Sequence, residues 1–150
     1  MPPPSESADF AFREHLPYNK NGPIFHAKEL IGMKLTFVDD RHAEAFRELR
    51  AQLHDPTNEY WLGMLYIAAS SEALLAKMSP YIKFDERSFY GHDMLDKTEF
   101  TKEETVLATL SVHLFNNTKK FDLSLMSQLP RELVPVALSA IALRYQVAEI

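Results

Sequence analysis

The chain has 150 residues, 46% of them hydrophobic and 25% charged, a size and balance that suit one globular domain with its own core. It has no cysteine and a formal net charge of −5, which excludes disulfides and zinc sites built on thiolates and argues against a surface that tracks nucleic-acid phosphates. No apolar run approaches the roughly 20 residues needed to cross a bilayer, no basic-then-apolar leader opens the chain, and the cytoplasm is the expected compartment.

Residues 1–24 read as an extended arm. Pro2, Pro3, Pro4, Pro17 and Pro23, with Asn19, Asn21 and Gly22, give no lasting periodicity. Phe10, Phe12, Leu16 and Tyr18 are too many large apolar groups for a disordered tail. Residues 1–8 are therefore expected to be loose and the rest to lie across a helical body that begins at residue 25. One helical turn is expected at 27–31. Residues 34–38 alternate and are rich in β-branched side chains, which allows a short strand, although no second convincing strand offers itself as a partner.

Asp39 and Asp40 are caps for a first helix over 41–54, with Ala43, Phe46, Leu49 and Leu53 on one face and Glu44, Arg47, Glu48 and Arg50 on the other. Thr57 or Asn58 caps a second helix ending near Ala69. Its run from Tyr60 to Ala68 has almost no polar face, so this helix is expected at the centre. Gly63 inside it costs about 1 kcal/mol relative to alanine, and close approach of another helix is the expected compensation. Ser70 or Ser71 caps a shorter helix that stops at Ser79-Pro80.

Residues 81–100 read as the least regular stretch. Thr101-Lys102-Glu103-Glu104 is a capping box opening a helix over 102–116. Asn116 or Asn117 suits its left-handed exit. A short helical piece capped by Asp122 and a turn over 130–133 lead to a last, apolar helix over 135–147, also expected to be buried. The fold class is all-α: a compact, multi-helix single domain with an extended N-terminal arm.

No segment demands a particular chemistry. There is no nucleophile elbow, no glycine-rich phosphate loop and no pair of histidines at helical spacing. A helix-turn-helix fails on the long connection between the last two long helices and on the apolar face of the final one. The irregular segment carries the candidates that remain. Tyr81, Phe84, Phe89 and Tyr90, interleaved with charge, suit a protein-recognition surface, or else they pin the segment to the body. His92, Asp93 and Asp96 with His113 or His42 offer a donor set for Mg²⁺, Mn²⁺ or Zn²⁺, or else a solvated acidic loop and a hydrogen-bonded histidine.

Three pieces carry a likeness: Asp40-Arg41-His42 followed by Phe46; His113-Leu114-Phe115-Asn116 with Phe121-Asp122-Leu123-Ser124; and Ala137-Leu138-Ser139-Ala140-Ile141-Ala142-Leu143-Arg144. In order and spacing they resemble an uncharacterised family of small, mostly helical proteins of Gram-positive bacteria, some of them phage-associated. The resemblance implies a cytoplasmic helical domain, carries no catalytic residues over to this chain and leaves the function open. The reading is a protein-interaction or regulatory module without catalysis, binding another protein or a second copy of itself. No cofactor, nucleic acid or membrane partner is expected. The alternative is a small metal-dependent hydrolase.

Overall fold

The computed structural model describes residues 18–19, 22–23 and 33–149. The chain divides between Gly32 and Met33. In the first unit the described residues are two short strands, β1 (Tyr18–Asn19) and β2 (Gly22–Pro23), paired antiparallel with Tyr18 opposite Pro23. The expectations for residues 1–8, for the packing of the arm and for a turn at 27–31 fall outside the described residues.

The second unit is mainly helical, and four of its helices start where a side chain satisfies a free backbone N–H. In α1 (Asp40–Ala51) the Asp39 carboxylate accepts from the His42 N–H at 2.8 Å. In α2 (Glu59–Ala68) Asn58 accepts from Tyr60, and in α3 (Glu72–Met78) Ser71 accepts from Leu74. Pro80 tightens the exit of α3 into a 3₁₀ turn, Ser79–Tyr81. Both halves of the expected capping box form at α5 (Lys102–Asn116): the Glu104 N–H donates to the Thr101 hydroxyl at 3.2 Å and the Thr101 N–H to Glu104 Oε1 at 2.9 Å. Asn117 ends that helix with φ 59°.

The residues expected to lack regular structure are organised. Strands β4 (Ile82–Lys83) and β5 (Ser88–Phe89) form a small hairpin, and α4 (Gly91–Lys97) follows it. A 3₁₀ segment, Leu123–Gln128, is capped by Asp122 as expected, and a second one, Arg131–Leu133, leads into α6 (Val134–Arg144).

Helix α2 is the centre. Every residue from Trp61 to Ala68 is buried, and α5 and α6 pack along it. Full burial of Met64, Leu65 and Ile67 stabilises the fold by about 1.5–3 kcal/mol each relative to exposure. Gly63 is the close-approach point: a Cβ there would lie 2.9 Å from the Ala140 carbonyl oxygen of α6.

Helix exits use side chains from neighbouring helices. The C-terminal carbonyls of α2 lack intrahelical partners. His42 donates from Nε2 to the Tyr66 carbonyl at 2.9 Å, and Arg41 donates to the Ala69 carbonyl. Arg144 does the same for α5, donating from Nε to the Leu114 carbonyl at 2.9 Å while lying over the Tyr60 ring at 4.0 Å.

Three expectations are corrected. The strand near residue 34 does have a partner: β3 (Met33–Lys34) pairs in parallel with β6 (Ala148–Glu149), Met33 opposite Ala148. The last helix ends at Arg144, because Gln146 turns left-handed at φ 62° and sends the chain into β6. Nor is α6 buried all round. Ala137, Ala140 and Leu143 face α2, whereas Leu138 is 47% exposed and Ile141 half-buried. Ala137 and Ala140 on the inner side allow close packing.

Candidate functional site

The aromatic side chains of the hairpin are largely committed to the fold. Phe84 stacks on Trp61 with centroids 5.8 Å apart, Phe115 meets Trp61 edge-on at 5.2 Å, and Phe89 meets Phe115 edge-on at 5.4 Å. Strand alternation turns Phe89 inward and leaves it buried. As a contact residue Phe89 is therefore corrected to a core residue. Tyr81 is half-buried, and its carbonyl accepts from the Tyr90 N–H at 2.9 Å. Tyr90 is exposed and donates its hydroxyl to Glu86 at 2.7 Å, a carboxylate bond that raises the phenol above its usual pKa.

The proposed metal donors do not gather. His92, Asp93 and Asp96 project from α4 into solvent, with Asp93 4.0 Å from Lys97 one turn on. His92 Nε2 lies 2.6 Å from the Thr118 hydroxyl, and His113 Nδ1 donates to the Lys119 carbonyl at 2.9 Å. These two histidines hold the loop after α5. Among the described residues, no group of three or more His, Asp or Glu side chains is placed to hold a metal ion.

The buried polar cluster is built around His42, which is fully buried. Its Nδ1 accepts from the Val38 N–H at 3.1 Å while Nε2 donates to Tyr66. Both ring nitrogens thus serve the backbone, and the imidazole is the neutral Nε2–H tautomer. Burial pushes its pKa below the usual 6.5, against the opposing pull of the Tyr66 carbonyl. Tyr66 donates its hydroxyl to the Thr36 carbonyl, and the Thr36 N–H reaches the Ser139 hydroxyl at 3.4 Å. Histidine, tyrosine and serine meet here with no open side and no nitrogen free for proton transfer. The cluster fastens residues 35–38 to α1, α2 and α6.

That fastening creates a groove of about 550 Å³ between the extended segment and α1. Leu35, Phe37, Ala43 and Phe46 form an apolar floor, and Lys34, Arg47 and Arg50 stand around it. Ala43, Phe46, Arg47 and Arg50 follow one another at helical spacing, so they share one side of α1. Lys34 and Arg47 are exposed, while Arg50 is half-buried and donates from Nε to the Pro56 carbonyl at 2.8 Å. The arrangement can seat apolar side chains and neutralise carboxylates. In the sequence Arg47 and Arg50 read as the solvated face of a helix; only the alternation of residues 34–38 hints that a second wall stands beside them.

A smaller cleft of about 290 Å³ lies where α1 ends against the hairpin, lined by His54, Asp55, Asn58, Trp61 and Arg87 among others. Asp55 there accepts from the Thr57 N–H and hydroxyl, and Asn58 caps α2. Its polar groups serve the turn. Among the described residues no helix is long and apolar enough to cross a membrane. No family model, curated protein or solved structure matches the chain.

Proposed function

We propose that this chain is a protein-interaction module without catalysis, and that its contact surface is the groove between residues 34–38 and α1. The groove carries the reading: an accessible apolar floor ringed by lysine and arginine side chains, two of them exposed. The other candidate chemistry is engaged in holding the fold. His42, His92 and His113 are hydrogen-bonded to backbone or threonine, and Ser111 and Ser139, both buried, are bonded within the core. The contact surface expected at the hairpin moves to α1, because stacking on Trp61 and Phe115 takes up Phe84 and Phe89.

The test compares the full chain with its Arg47→Glu variant in crosslinking and affinity recovery from native lysate. A partner recovered by the parent and lost by a variant of equal melting temperature supports the reading. A partner recovered equally by both, or none at all, removes the groove as its basis.

A further inference from the structure

The charges of α1 are unevenly distributed. Among the described residues, Lys34, Arg47 and Arg50 line the groove with no carboxylate beside them. Glu44 and Glu48 line a separate hollow on the other side of the helix with Glu72 and Leu75 of α3, and the cation there, Arg41, is held against the Ala69 carbonyl. The whole chain carries −5, so the groove is a cationic spot on an anionic molecule. Neither Lys34 nor Arg47 forms a salt bridge among the described residues. Arg50 is held against the Pro56 carbonyl through Nε, which orders its guanidinium at the groove edge.

We propose that the groove receives an acidic, amphipathic segment of a partner protein. This rests on the reading of the groove as a contact surface and adds the chemistry of what fills it. The partner's apolar side chains sit on Leu35, Phe37, Ala43 and Phe46, and its carboxylates meet Lys34, Arg47 and Arg50. From Ala43 to Arg50 the helix rises about 10 Å, which an extended peptide covers in about three residues at ~3.3 Å each. The recognition element is therefore short, and carboxylates flanking an apolar residue fall within reach of the cations. The acidic band on the far side of α1 repels a long anionic polymer, which favours a short segment over a nucleic-acid backbone or an anionic bilayer.

The experiment is fluorescence anisotropy of a labelled short peptide of alternating glutamate and leucine, titrated with the full chain. We expect saturable binding that weakens with added salt. Lys34→Glu combined with Arg47→Glu weakens it roughly tenfold or more, since reversed charges at a contact both remove attraction and add repulsion. Ala43→Phe, which fills the floor and leaves the charges alone, also abolishes binding. Lys34 and Arg47 are exposed and Ala43 is half-buried, and an unchanged melting temperature verifies the fold of each variant; the salt dependence of the parent tests the charge requirement without any variant. Absence of peptide binding overturns the proposal. So does equal binding of polyglutamate, tighter binding of phosphatidylserine vesicles or single-stranded DNA, or self-association abolished by Arg47→Glu. An Arg47-dependent partner from lysate alongside a silent peptide leaves the contact surface standing and removes the acidic chemistry. Failure of both removes both.

Discussion

Gly63→Ala destabilises the protein although the change improves helix propensity. Alanine in place of glycine inside a helix is worth about 1 kcal/mol, and burying one more methyl adds ~0.8 kcal/mol. Against this, the new Cβ would lie 2.9 Å from the Ala140 carbonyl oxygen, 3.3 Å from Leu114 Cδ1 and 3.7 Å from Arg144 Cβ. The nearest of these is backbone in the middle of α6, so it cannot turn aside. Leu114 is only 2% exposed and has little room to withdraw. Relief requires α2 and α6 to separate, although they pack along each other through the core. Overpacking of this kind costs about 1–3 kcal/mol and more where the neighbour is rigid. Taking the upper end of that range, about 3 kcal/mol, because the nearest neighbour is backbone, the net loss after the two gains is about 1 kcal/mol, a fall of roughly 2–4 °C in Tm for a chain of this size. Urea and thermal melts followed by Trp61 fluorescence and far-ultraviolet circular dichroism measure it. A variant as stable as the parent, or more so, would refute the claim that this glycine sets the spacing of α2 and α6.

Other outcomes follow from the caps and the strained turn. His42→Ala leaves the Val38 N–H and the Tyr66 carbonyl without partners and opens a cavity, and is expected to cost ~2–4 kcal/mol in denaturant melts. His42 also gives stability a pH dependence. Its folded pKa lies below 6.5, so the unfolded chain binds the proton more readily; its contribution is complete above 6.5 and is lost as pH falls toward the folded value. The acid limb of ΔG against pH should be shallower in His42→Phe, and an unchanged slope counts against the assignment. Glu104 adds a lower limb. Burial pushes its carboxyl up, but the 2.6 Å contact with Lys77 and the Thr101 N–H hold it below its usual 4.5. That stability is present above 4.5 and lost as pH falls through the folded value. Glu104→Ala removes half of the capping box together with the tie from α5 to α3, and should cost about 1–2 kcal/mol. Arg87 sits at φ 53° in the hairpin turn. Arg87→Gly should raise stability by ~0.5–1 kcal/mol in the same melts; a loss would mean that the arginine side chain contributes more than its backbone conformation costs.

Features written in consecutive residues were legible. The capping box at Thr101 and Glu104, the Asp39, Ser71 and Asp122 caps and the apolar run from Trp61 to Ala68 obey local rules, and the structure places each as expected. Features made by distant pairs were not. Lys34 is a strand residue because Glu149 lies beside it, and nothing near either residue announces the other. The last helix appeared to run on to Val147 because Tyr145 and Val147 continue its apolar character, while the break comes from the backbone turn at Gln146. The aromatic residues of the hairpin suggested recognition because sequence shows side-chain type without its neighbour. Phe84 and Phe89 would be anchors if they were free, but Trp61 and Phe115 already face them. Arg47 and Arg50 were hidden for the converse reason. They stand on the polar side of an amphipathic helix, and only residues 34–37, brought alongside by His42 and Tyr66, turn that side into a groove.

The bond between Thr36 and Ser139 spans 103 positions of sequence, and this bears on how the molecule is made. On a ribosome the segment that walls the groove is synthesised long before the helix that anchors it. Until Ser139 has left the exit tunnel, the Thr36 N–H lacks its partner and the greasy central rod lacks one of its two long flanks. Nascent chains halted just before Val134 should therefore be protease-sensitive and prone to capture by chaperones, whereas chains released beyond Val147 should resist digestion.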